Sequence, residues 1–142
     1  MKFFIGSDHA GFSVKAKIIA MIQNKGHEIV DLGANSTDSV DYPVYAHKVC
    51  QEVLKHPNSN GILVCGSGIG MSMTANKYKN IRAALCTDAY TASITKKHND
   101  ANVLCMGERI IGLGVIESII DAWCENEFEG GRHLCRVEQI EI

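Results

Sequence analysis

Cys65 closes the apolar run Ile62-Leu63-Val64 and opens directly into Gly66-Ser67-Gly68-Ile69-Gly70. A thiol acts as base or nucleophile through its thiolate, so it needs donors or positive charge nearby. Alternating glycines provide this, because backbone without Cβ can approach closely and aim several N–H groups at one anion. A helix starting near Gly68 and holding Met71, Met73 and Ala75 would add the positive end of its dipole beside the sulfur. The loop is not the G-x-G-x-x-G dinucleotide pattern, and no Walker lysine and serine follow it. It therefore suits a phosphate or a developing oxyanion better than a nucleotide. Proton transfer, nucleophilic attack and an inert buried thiol above a tight turn all remain open on these residues alone.

Other reactive side chains follow apolar runs in the same way. Ser7, Asp8 and His9 follow the first run, Thr87 and Asp88 the fourth, and Gly107, Glu108 and Arg109 the fifth. Asp8 and His9 suit acid–base work or the orientation of a hydroxyl, and Asp8 equally suits the cap of a helix. An imidazole can change charge near neutral pH, so His98, in Lys96-Lys97-His98-Asn99-Asp100, suits a proton donor or a solvated helix end. Arg132 and Arg136 share a helical face at i and i+4, a spacing for a dianion or an ordinary exposed pair.

The elements that must position these groups are five short apolar runs: Phe3 to Ile5, Ile29 to Leu32, Ile62 to Cys65, Ala83 to Cys86 and Val103 to Met106. Stretches of helical length separate them. Val14, Ile18 and Met21 mark one face of the first, and Leu113, Ile116, Ile120 and Trp123 one face of the last. Such alternation predicts βαβ units with right-handed crossovers and a five-stranded parallel sheet in a three-layer α/β/α sandwich, Rossmann-like. Ligands in such folds bind at the carboxyl ends of strands, which places most of the groups above on one rim. A second helix is expected to start near Tyr42-Pro43, and a third to run from about Gly70 to Tyr78.

With 142 residues, 46% of them hydrophobic, the chain fits a single domain with a substantial core. Its 14 basic and 16 acidic residues leave a net charge of -2, which points away from nucleic acid and membrane surfaces and toward a small-molecule ligand. The apolar start, Phe3-Phe4-Ile5, is too short for a signal-peptide core, and no run approaches the ~18 residues of a membrane span, so a cytoplasmic protein is expected. Its six cysteines are widely spaced with no C-x-x-C pair, as expected of free thiols. Residues 129 to 142 carry both arginines but too few apolar positions for a core of their own, and are expected to pack on something else.

Taken together, Gly6-Ser7-Asp8-His9-Ala10-Gly11-Phe12, Asp41-Tyr42-Pro43, Cys65 to Gly70, Ala75-Asn76-Lys77, Lys97 to Asp100 and Glu129-Gly130-Gly131-Arg132-His133 resemble the type B ribose-5-phosphate isomerase family, which includes galactose- and allose-phosphate isomerases. The resemblance spans almost the whole chain. It implies a metal-free, cofactor-free interconversion of aldose and ketose phosphates through an enediolate. By analogy Cys65 is the base between C2 and C1. Ser67 and the amides of Gly66, Gly68, Ile69 and Gly70 hold the oxyanion, while His98 assists ring opening, with the catalytic Asp8 near the ring oxygen or hydroxyls. His9, Arg132, Arg136 and Arg109 then bind phosphate, and Tyr42 and Asn99 contact the sugar. Some members carry a glutamate base where this chain has Met71, so Cys65 marks the cysteine-dependent branch. The resemblance also implies a homodimer, or a dimer of dimers, whose sites combine residues of two subunits, with 129–142 as an arm on the partner. A six-carbon sugar phosphate is the alternative substrate, and a phosphosugar-binding module without catalysis is the alternative of a different class.

Overall fold

The computed structural model describes residues 1–142, in which five strands and six helices alternate up to the last two helices. The strands are β1 (Lys2–Ser7), β2 (Glu28–Asp31), β3 (Asn60–Cys65), β4 (Ala83–Leu85) and β5 (Val103–Gly107). The helices are α1 (Phe12–Asn24), α2 (Tyr42–Lys55), α3 (Ile69–Ala75), α4 (Ala89–Asn99), α5 (Leu113–Glu125) and α6 (Arg132–Ile140). No helix is long and apolar enough to cross a membrane.

All strand pairs are parallel, in the order β2-β1-β3-β5-β4. The central strands are apolar on both faces because both are covered. On one side Phe3, Ile5, Ile62, Val64, Leu104 and Met106 meet Ile18 and Ile22 of α1 and Ile116, Ile120 and Trp123 of α5. On the other, Phe4, Leu63, Cys65 and Cys105 meet Val49 and Cys50 of α2 and Met71 of α3. Each fully buried aliphatic side chain contributes roughly 1.5–3 kcal/mol, so these two layers fix the sheet between the helices. The expected three-layer α/β/α sandwich is thereby realised.

Three expectations need adjusting. In α1 the innermost turn is closed by Ile22, with Met21 only half-buried at its side. In α5 Leu113 is exposed, since it sits in the first turn beyond the reach of the sheet, and Ile119 takes its place in the core. Helix α3 stops at Ala75 instead of Tyr78, because Asn76 turns its side chain away to bond both Ala83 N–H and Ala83 O, tying the helix end to β4. Beyond α5, residues 132–140 form a helix against α4, with only His133 and Val137 buried.

Candidate active site

Strand order reverses at β1, which has β2 on one side and β3 on the other, and the crevice beyond such a switch point is where α/β sheets bind ligands. β1 delivers Asp8 to it and β3 delivers Cys65; Asp8 N–H donates to Val64 O at 3.2 Å, so the two strand ends are tied together. Asp8 is buried, and its Oδ1 accepts the Gly11 N–H at 3.1 Å, closing the turn into α1. The carboxylate thus stabilises the turn and also borders the crevice.

Cys65 is 4% exposed, with its sulfur accepting the Gly68 N–H at 3.1 Å. Gly68 has φ +77°, a conformation glycine adopts without strain, and this turns its amide back onto the thiol before α3 begins. Burial raises the other core thiols: Cys50 is pushed up to about 12, Cys86 to about 11, and Cys105 well above its ordinary value. Ser67 Oγ accepts the Ile69 N–H at 3.2 Å, so two of the loop amides are already engaged locally. The turn after β5 straps the loop from behind, Glu108 N–H donating to Cys65 O at 2.9 Å and Arg109 N–H to Gly66 O at 3.0 Å.

These elements frame a cavity of about 520 Å³, within the usual range for small-molecule sites. Asp8, Cys65, Gly66, Ser67 and Gly70 form its floor, with Tyr42 and Arg109 at the sides. Ile69, Met73 and Ile110 also line it; all three are exposed apolar side chains. Tyr42, the first residue of α2, lies directly on Gly70: a Cβ added there would fall 2.4 Å from the ring. The arrangement sets a thiol, a carboxylate, a hydroxyl and a guanidinium around one small cavity.

Residues 3–140 match the family model for ribose/galactose isomerases. The chain belongs to this isomerase family. It is 44% identical to the ribose-5-phosphate isomerase B of Escherichia coli over 139 residues, covering 98% of this chain and 93% of that one. It superimposes on the ribose-5-phosphate isomerase B of Clostridium thermocellum with a TM-score of 0.96 at 45% identity, covering 99% and 95% of the two chains. The type B ribose 5-phosphate isomerase of Trypanosoma brucei gives a TM-score of 0.94 at 46% identity, covering 98% and 95%.

Within one chain of this isomerase fold, the remaining candidates do not join Cys65. His98 and Asn99 end α4, and Asn102 just beyond them accepts the Gly61 N–H at the start of β3. Cys65 ends that strand, about 13 Å from Gly61 at ~3.3 Å per residue. Arg132 and Arg136 lie exposed on α6 beside α4, with no ion pair inside the chain. Asn99 borders a larger groove of about 830 Å³ along edge strand β4. His9 is half-buried next to Asp8, its Nδ1 accepting the Val40 N–H at 3.2 Å, which leaves Nε2 to act as donor.

Sequence reasoning overlooked three groups. Met73 and Ile110 shape the rim, and nothing but their exposure in an apolar setting marks them. His133 stacks on His98, centroids 4.1 Å apart and planes 14° from parallel. Its place four residues before Val137, on the one buried face of α6, is the signal that was there to read. Glu129, His98 and His133 bring possible metal ligands within 4.8 Å of one another, but Arg132 and Arg136 lie close enough to His133 to disfavour a cation.

Because the Tyr42 ring lies on a residue with no Cβ, Gly70→Ala is expected to push the tyrosine off the loop. Tyr42 is 38% exposed and free to swing outward, so stability should change little while KM rises about tenfold, the loss of one good contact. Steady-state kinetics with a parallel thermal melt checks this.

Proposed function

We propose that the protein interconverts ribose 5-phosphate and ribulose 5-phosphate, with Cys65 moving a proton between C2 and C1. The observation that carries this reading is the thiol at the floor of the switch-point cavity with the Gly68 amide on its sulfur. Ribose-5-phosphate isomerase B is what the E. coli relative and the C. thermocellum structure are named.

In this reading the furanose opens first. His98 protonates the ring oxygen while Asp8 takes the proton from the anomeric hydroxyl, freeing the C1 aldehyde. The Cys65 thiolate then removes the C2 proton, and the electron pair moves to the C1 oxygen to form the enediolate. Ser67 and loop amides stabilise that oxyanion, where preorganised donors have most effect. Returning the proton to C1 while the O2 proton passes to the C1 oxygen gives the ketose. His9, Arg109, Arg132 and Arg136 bind the phosphate, and Tyr42 and Asn99 contact the sugar.

Such a site requires two copies of the chain, since Cys65 and Asp8 occupy the carboxyl end of the sheet and His98, Asn99, Arg132 and Arg136 the opposite end. A homodimer that sets the α4–α6 end of one copy over the cavity of the other supplies them all. Exposed Ile69, Met73 and Ile110 around the cavity give that contact an apolar collar, and residues 129–142 become the arm that reaches the partner.

The decisive experiment is conversion of ribose 5-phosphate by the purified protein in the presence of a chelator, followed by NMR, alongside allose 6-phosphate and galactose 6-phosphate. The expected result is chelator-insensitive turnover with the highest kcat/KM on the pentose. No turnover leaves only a binding module; a higher kcat/KM on a hexose phosphate moves the enzyme to the six-carbon branch.

A further inference from the structure

We propose that His133 is a positioning residue for His98, holding that imidazole by ring stacking in the orientation that delivers a proton to the furanose oxygen. The inference rests on the reading of His98 as the ring-opening group.

His98 is the penultimate residue of α4, followed closely by Asp100 at φ +48°, where the helix has already ended. No side-chain hydrogen bond orients its ring, and χ2 of histidine is a broad, soft torsion. Left alone, the imidazole would sample many directions. What it does meet is the His133 ring, 4.1 Å away and nearly parallel. A parallel neighbour fixes the ring plane and leaves both nitrogens at the edge, where they reach a substrate.

His133 is well suited to this. It is 7% exposed, whereas its neighbours Arg132 and Leu134 point outward. Its backbone is fixed twice over: its N–H donates to Gly130 O at 3.0 Å, and the Glu129 N–H donates to Lys97 O, also at 3.0 Å, tying the start of α6 to the residue before His98. Burial first, then the proximity of His98 and Arg132, keeps the His133 imidazole below its ordinary range. A neutral ring stacks on His98 without repelling the proton that His98 must carry.

The chemistry of the two sugars separates this role from a purely structural one. Ribose 5-phosphate is cyclic and must open before C2 can be deprotonated. Ribulose 5-phosphate cannot close to a furanose, because the hydroxyl that would attack C2 is phosphorylated. Exchange of its C1 hydrogen with solvent deuterium therefore needs Cys65 but no ring opening.

His133→Ala is expected to lower kcat from ribose 5-phosphate by about tenfold, the scale of a misoriented acid, with KM unchanged. C1 exchange in ribulose 5-phosphate should persist at the wild-type rate, which also shows that the variant is folded. His133→Phe, which keeps a flat ring but no titratable group, should restore most of the lost turnover. Equal loss of turnover and exchange, or no loss of either, overturns the inference, as does failure of the phenylalanine to rescue. His98→Asn is the benchmark. If it loses turnover but keeps exchange while His133→Ala is silent, the ring-opening reading stands and the role of His133 falls. If His98→Asn loses both alike, the ring-opening reading fails and takes the inference with it.

Discussion

Cys65→Ser is expected to reduce kcat by about 10³-fold, the scale of a lost general base, while KM stays close to that of the unaltered enzyme. The substitution is nearly isosteric, and a serine oxygen can still accept the Gly68 N–H that now reaches the sulfur at 3.1 Å. What changes is intrinsic acidity: a hydroxyl is far less acidic than a thiol, and its alkoxide is inaccessible at neutral pH. Phosphate and sugar contacts are untouched, so binding survives and the step that breaks the C2–H bond does not. Deuterium exchange at C1 of ribulose 5-phosphate should vanish with turnover, which separates this variant from the His133 variants. Near-normal turnover would remove Cys65 from the base role. Cys105→Ser is the control. Cys105 lies on the same face of the sheet, fully buried, and burial holds its thiol protonated. A hydroxyl there should cost stability, in the order of 1–3 kcal/mol for an unpaired buried polar group, and leave kcat alone.

Much of this layout is legible from residue order. Period and composition place the strands because β1, β3 and β5 are apolar on both faces, as only covered parallel strands are. The glycine loop announces a turn that brings backbone to the thiol, and Pro43 in the first turn of α2 locates Tyr42. Edges are less legible: β4 is three residues long, and its partner Asn76 ends α3 through contacts that no local pattern encodes. The site is divided in the same way. Asp8, Cys65, Ser67, Gly70 and Arg109 follow strands and so share a rim by topology alone. His98 lies in the last turn of a helix, and in a parallel α/β unit the helix returns antiparallel to the strands, so its end lies at the opposite edge. The stack of His98 on His133 joins residues brought together by the packing of α6 on α4, which composition and spacing do not specify.

Opposite placement gives the assembly a direct test. Arg136→Ala should raise KM about 10–100-fold, since a charge-assisted contact to the phosphate contributes roughly 1.5–3 kcal/mol, and at low substrate it should be nearly silent. Cys65→Ser should be nearly silent at any substrate concentration. If sites combine two chains, a mixed dimer holds one site in which both defects fall together and one site that is intact, with Cys65 from the first chain and Arg136 from the second. Random reassociation makes half of the dimers mixed, and each has one working site of two, so activity at low substrate should recover to about a quarter of that of the unaltered enzyme in a two-fold symmetric dimer. Recovery must appear only after subunit exchange, followed by native mass spectrometry of differently tagged chains, and its KM should be that of the unaltered enzyme, because the working site carries neither change. If mixed dimers form and activity stays at the level of the parents, each site is built within one chain. His98, Arg132 and Arg136 would then have to cross the length of β3 to reach Cys65, a rearrangement that the packing of α4 and α6 does not permit.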